Sequence, residues 1–393
     1  MTSILQRIFR LHGASFMTEN RVPAHWSRAV GKLSRCRTAA LGGHVQGCPA
    51  GHIERIWYNS CRHRSCPQCN QLQIAQWLQK QRARLLDCAH HHIIFTIPHD
   101  FNCLWIQNAG TMMEILFQCA RETLQQLLRD ERRLGDGEPG FMLALHTWGR
   151  SLSLHPHLHC LITDGGWNGV KWQTPKGSCF LPARVLMAKF RGKFLALVRT
   201  ALQEGKLRLP AQLCDRQMQY NLNRLGRSKW NVHLRERYGH GNGVVQYLAR
   251  YVRGGPLHDG QLAIPDGNNV AFRYTPHTDS GAARHSSVMT LAAPAFLRRY
   301  LQHVPLSGKH TVRSYGLYAP RKVAYLDQAR AVFRQPPAAA TPALTWQAYY
   351  AARQPQAAIH VCAVCGAPMS NVRRIAPQRG PPVPRTVWEC PHA

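Results

Sequence analysis

The sequence is poor in acid. Only 19 Asp and Glu stand against 50 Lys and Arg in 393 residues, giving a formal charge of +31 and a pI near 10.4. The excess runs from the N-terminus into the last fifty residues, so it is not one basic tail. Self-repulsion of this size opposes folding unless a polyanion neutralises it, and the expected partner is nucleic acid. Long apolar runs are missing too. None reaches the roughly 20 residues that span a bilayer. The opening MTSILQRIFRLHG has basic residues but no apolar core or cleavage pattern, so a soluble, cytoplasmic protein without membrane contact is expected. There is no G-x-x-x-x-G-K-[ST] phosphate loop and no repeat of fixed period.

Cysteine, by contrast, is plentiful, with 14 residues. Several fall in paired, His-accompanied spacings that suit zinc in a reducing compartment better than disulfides. CPAGHIERIWYNSCRHRSCPQCN, residues 48–70, offers Cys48, His52, Cys61, Cys66 and Cys69, with Cys36 a sixth candidate upstream. The C-P-Q-C turn lets two thiolates meet one tetrahedral ion. The favoured set is Cys48 and His52 with Cys66 and Cys69, Cys61 being the first substitute. IERIWY between them alternates as a strand, as in a zinc ribbon. Arg55, Arg62 and Arg64 lie among these ligands and are expected to meet a phosphate backbone. Near the C-terminus Cys362 and Cys365 form a knuckle that Cys390 and His392 would complete as a second zinc site.

The central stretch is LALHTWGRSLSLHPHLHCLITDGG, residues 143–166. His155, His157 and His159 alternate, so a strand carries them on one face, and Gly149-Arg150-Ser151 turns the chain from a partner strand bearing His146. One strand histidine is ordinarily a half-buried polar residue; four so close repel or lose solvation unless something such as a metal uses them. Pro156 cannot donate to a ladder and marks an edge strand or a bulge. The His146 strand is expected to pair beside Ile93 to Ile97.

Helical periodicity predicts helices over 71–90, 103–133 and 189–202. Residues 210–243 interleave Tyr220, Trp230 and Tyr238 with basic residues, a mixture suited to stacking single-stranded nucleic acid. GNGVVQYLARYVRGG, residues 241–255, predicts a short helix with Tyr247 and Tyr251 one turn apart; by spacing alone these are packing residues, with Arg250 and Arg253 beside them. QPPAAATP, 335–342, is linker-like. The expected fold class is α+β, a central antiparallel sheet with flanking helices and a small zinc module at each end. The expected division is 1–75 (zinc and DNA binding), 76–255 (catalytic), 256–333 (basic extension), 334–343 (linker) and 344–393 (second zinc module).

Taken together, CRTAALGGH, YNSCRHRSCPQC, FTIPHDFN, LHTWGRSLSLHPHLHCLITDGG, YLARYV, MTLAAPAFLRRYLQHV and RSYGLY resemble the rolling-circle insertion-sequence transposases of the HUH superfamily, two-tyrosine type. The HUH pair corresponds to His157-Leu158-His159. The resemblance implies a divalent ion on His157 and His159, with Mg²⁺ or Mn²⁺ in that place, and nucleophilic roles for Tyr247 and Tyr251. It implies single-stranded DNA nicking and strand transfer through a 5′-phosphotyrosine, in a bacterial, nucleoid-associated setting. The family motif leaves the third ligand open, and His146 is the assignment made from the residues. By softness alone three imidazoles suit zinc. The chain departs from the family at the first knuckle, where Cys48-Pro49-Ala50-Gly51-His52 replaces two cysteines two apart. Two other readings remain: a non-catalytic zinc-containing DNA-binding protein, and a zinc hydrolase using His155, His157 and His159 with Asp164 as base.

Overall fold

A computed structural model describes residues 3–177, 180–211, 213–252, 255–276, 285–338, 342–353 and 361–378; within these, the side chains of Glu236, Tyr247, Arg250, Tyr251 and Val252 are not described. The chain forms two compact units. One comprises residues 77–252 and 305–342, the other 1–76, 253–304 and 343–393. The architecture is α+β, with antiparallel sheets flanked by helices.

In the first unit a five-stranded antiparallel sheet is built from β1 (His90–Thr96), β2 (Gly140–Trp148), β3 (Leu154–Thr163), β4 (Val232–Tyr238) and β5 (Val312–Gly316), in the order β5-β2-β3-β1-β4. Alternation gives each strand two faces. Phe141, Leu143 and Leu145 of β2, Leu158, Cys160 and Ile162 of β3, and Ile93 and Phe95 of β1 bury one face. They pack against α1 (Asn102–Leu128) and α2 (Ala183–Gln203) in a core that includes Leu116, Phe117, Phe190 and Phe194. The opposite face carries Ala144, Leu161 and the histidines. There α3 (Asn242–Val252) packs through Val244, Val245 and Leu248 in a second core with Ala144, Leu161, Leu317 and Tyr318. Each fully buried side chain of this size contributes roughly 1.5–3 kcal/mol.

β2 and β3 form the expected hairpin, closed by Gly149 N–H donating to the Ser153 carbonyl at 2.8 Å. β3 is central from His157 onward; at Pro156 it has no β1 partner, and the β2–β3 register also shifts between His146 and Trp148, opposite the residue that has no N–H. It is β3, not the His146 strand, that pairs with β1, placing Ile93 opposite Cys160 and Thr96 opposite His157. Trp230 is also corrected. It is 3 % exposed, packs with Phe101, Phe190 and Phe194, and its indole N–H donates to the Leu225 carbonyl, so it is a core residue and no stacking platform.

In the second unit the strands Gly43–Gly47, Glu54–Tyr58 and Ser370–Ile375 form one antiparallel sheet with Gly43–Gly47 in the middle. The C-terminal strand therefore completes the sheet begun by the first zinc motif. The first helix, Ile4–Glu19, has no acidic residue in its first turn, and Asp259 supplies the anion instead, accepting from Ile4 and Leu5 N–H at 2.9 and 3.0 Å. Among the described residues no helix is long and apolar enough to cross a membrane.

Candidate metal centres and nucleic-acid interface

His146, His157 and His159 bring ring nitrogens within 4.8 Å of one another, all three side chains being on the α3 face of the sheet. His157 Nδ1 lies 2.6 Å from the His155 carbonyl, which only accepts, so Nδ1 carries the proton and Nε2 presents a lone pair. That Nε2 is 3.1 Å from Nε2 of His159. Two ligand atoms at ~2.1 Å from an ion in cis octahedral positions stand about 3.0 Å apart, so the spacing fits a shared divalent cation. His159 Nδ1 is in turn 2.8 Å from Nε2 of His92 on β1. His92 was not predicted; it orients His159 from the next strand, as partners of metal-bound imidazoles commonly do. His155, whose ring reaches His99 at 3.3 Å, is not in the converging group.

Burial keeps these imidazoles neutral. Desolvation holds His157 at about 4, aided by the charge of His155; His92 is likewise at about 4, through burial and Arg235. His159 is at about 2, through burial and the charges of His157, His92 and Arg235. An unfolded chain protonates these groups near 6.5, so between pH 6.5 and about 4 the unfolded state binds the extra protons. Stability therefore falls as pH falls through that window, by up to ~1.4 kcal/mol per pH unit for each such histidine. A thermal-unfolding series of zinc-loaded protein without Mg²⁺ or Mn²⁺ should show the midpoint dropping from pH 6.5 to 4. A flat midpoint would contradict the buried, neutral cluster.

The hydrolase reading loses its base. Asp164 is held by His91 at 3.0 Å and by Arg237, on the other side of the strand alternation from the histidine group.

The cysteines sort differently from the favoured set. Cys36, Cys61, Cys66 and Cys69 form one buried group, with Cys61 and Cys69 sulfurs 3.6 Å apart and Cys36 and Cys66 also 3.6 Å apart. Cys48 and His52 join Cys362 and Cys365 instead; Cys48 Sγ is 3.5 Å from Cys365 Sγ and 3.6 Å from His52 Nδ1. Thiolates at 2.3 Å on a tetrahedral zinc stand about 3.7 Å apart, which both groups match. The physical reason is the pairing of Ser370–Ile375 with Gly43–Gly47, which carries the C-terminal knuckle to the first one. Cys390 and His392 lie outside the described residues. Purified protein should carry two zinc ions per chain. Cys36→Ser should carry one, whereas Cys103→Ser, outside both groups, should keep two.

Of the arginines expected at DNA, Arg62 is exposed beside the four-cysteine group, while Arg55 and Arg64 are half-buried. Arg253 lies outside the described residues, as do the side chains of Arg250, Tyr247 and Tyr251; the backbone of the last three is in α3.

Residues 140–324, which span the hairpin, α3 and β5, match a family described as a putative transposase, and residues 8–97 match a transposase zinc-binding domain. The class is therefore that of DNA transposases, enzymes that cut DNA and transfer its strands. A putative transposase of Sinorhizobium fredii is 35 % identical over 321 residues, covering 80 % of each chain. A transposase for an insertion sequence element of Pseudomonas savastanoi pv. phaseolicola is 28 % identical over 361 residues, covering 86 % of this chain and 82 % of its own. The chain belongs to this family, the rolling-circle insertion-sequence transposases with an N-terminal zinc-binding domain. DNA is accordingly its partner and zinc a cofactor. No solved structure matches the chain significantly.

Proposed function

We propose that this transposase nicks single-stranded DNA at the ends of its element through Tyr247 and Tyr251, with His146, His157 and His159 holding a catalytic Mg²⁺ or Mn²⁺. The observation that carries the reading is the convergence of three neutral imidazoles on the sheet face covered by α3, the helix that contains both tyrosines. When bound, the ion screens the non-bridging phosphate oxygen and steadies the leaving oxygen.

The other steps belong to the chain's own residues. A tyrosine oxygen attacks the phosphorus and forms a P–O bond while the bond to the 3′ oxygen breaks. The phenolic proton is lost and the departing 3′ oxygen gains one, leaving a free 3′ hydroxyl and a 5′ phosphate on the enzyme. One phosphodiester replaces another, so rejoining needs no ATP. Two tyrosines one helical turn apart permit two successive transfers. The alternative that ligand softness alone suggests, zinc on the histidines, differs only in which metal restores cleavage.

The test is a denaturing gel of the protein with 5′- and 3′-labelled single-stranded oligonucleotides from the element's ends. With Mn²⁺ a covalent protein–DNA band that retains the downstream label is expected. Binding without such a band would favour the non-catalytic reading, and a nick without a covalent band would favour a hydrolase.

A further inference from the structure

The second unit contains a cavity of about 830 Å³ that the metal centres do not occupy. Its lining includes Trp57, Tyr58, Trp346, Tyr349 and Tyr350, together with Arg37 and Arg62. We propose that this cavity binds unpaired nucleobases of single-stranded DNA. The inference rests on the protein's role as a transposase, but not on where the nucleophile or catalytic metal lies.

Three independent features of the lining point to a base rather than to a lipid or an apolar peptide. First, the aromatic residues come from two distant parts of the chain, the strand Glu54–Tyr58 and the helix Trp346–Arg353, so separate elements bring aromatic side chains to one cavity. Bases stack on such rings whatever their sequence. The helix is tied down on this unit by Gln76 Nε2, which donates to the Leu344 carbonyl at 2.7 Å.

Second, three polar atoms of the lining are shut off from solvent without a hydrogen-bond partner: Nε1 of Trp57 and the carboxamide oxygens of Gln68 and Gln73. Buried donors and acceptors are nearly always paired in folded proteins, and orphans need an explanation. Turned into the cavity by rotation of their side chains, one N–H donor and two carbonyl acceptors are what the edge of a base satisfies and an acyl chain does not.

Third, the two arginines are held in an uncommon conformation. Arg37 and Arg62 have φ of 52° and 51°, two of only four described non-glycine residues with positive φ. Each directly follows a member of the four-cysteine group, Cys36 and Cys61, and Cys69 of the same group lines the cavity. Strain of this kind persists where surrounding structure enforces it and gathers at binding sites. Both side chains are exposed, where they can meet the phosphates flanking an inserted base. The zinc site thus fixes the backbone from which both cations project.

The experiment compares equilibrium binding of the zinc-loaded full chain, without Mg²⁺ or Mn²⁺, to a single-stranded oligonucleotide, the same oligonucleotide with a run of abasic sites, and a duplex of equal length. Stacking lost per base predicts about 5- to 100-fold weaker binding to the abasic strand. Trp346→Ala and Gln73→Leu should each weaken single-strand binding at least fivefold, leave duplex binding within twofold, and keep both zinc ions. Equal affinity for native and abasic strands overturns the proposal, and because it uses the unaltered protein, misfolding cannot explain it. Variants that lose single-strand and duplex affinity equally also overturn it. Because no catalytic metal is present, loss of cleavage in other variants leaves this result untouched, and the two readings fail separately.

Discussion

Replacing both Tyr247 and Tyr251 with Phe should abolish the covalent protein–DNA adduct, lowering its rate of formation by at least ~10³-fold. Phe keeps the ring and removes only the oxygen. Helix α3 is anchored through Val244, Val245 and Leu248, whose contacts the substitutions leave alone. Helix propensity is also little changed. Zinc content, unfolding midpoint and DNA affinity should therefore match the parent within about twofold. Each single variant should retain part of the adduct, because the other phenol can still attack, but lose the product in which two ends are joined. That step needs one tyrosine to hold a strand while the other cuts. If the double variant still gives the covalent band, the nucleophile is elsewhere and the two-tyrosine reading fails. If either single variant joins both ends normally, that tyrosine has no separate role.

The sequence made some of this legible and concealed the rest, for reasons that differ residue by residue. Strand alternation is local, so the one-sided display of His157 and His159, and the turn to His146, could be read without a structure. His92 could not. It enters the cluster only because β1 pairs with β3 in a register that sets His92 opposite Leu161, one alternation step from His159. Pro156 set a constraint with two solutions, and the fold uses both: the β1 ladder ends at Thr96 opposite His157, and the β2–β3 register shifts beside the proline. The Cys66-x-x-Cys69 turn was visible for the same local reason. Its partners were not, since Cys36 lies 25 residues before Cys61, and since Cys362 and Cys365 reach Cys48 through a strand pairing that spans most of the chain. Trp230 was misread because aromatic and basic residues interleave in a stacking groove and in an amphipathic surface segment alike; burial alone separates them. The aromatic cavity had no sequence signal, because the strand and the helix that line it are nearly 300 residues apart.

Changing His157 to Ala should lower metal-dependent cleavage of single-stranded DNA by on the order of 10³-fold while leaving DNA binding nearly intact. A divalent ion contributes several kcal/mol of transition-state charge stabilisation, and ~4 kcal/mol corresponds to about 10³ in rate. His157 is the proposed ligand whose tautomer the backbone fixes, since its Nδ1–H is committed to the His155 carbonyl and its Nε2 faces His159. Removing it leaves two imidazoles, and Mn²⁺ affinity should fall with the rate. Affinity for DNA comes mainly from arginine and lysine contacts to phosphate, so it should change less than about threefold. His92→Ala supplies the graded comparison. All three proposed ligands remain, but His159 loses the partner that orients it, and losses of about 10- to 100-fold are expected, partly restored by raising Mn²⁺. An effect of His92→Ala as large as that of His157→Ala would make His92 a ligand. Normal cleavage by His157→Ala at low Mn²⁺ would remove the metal from this face of the sheet altogether.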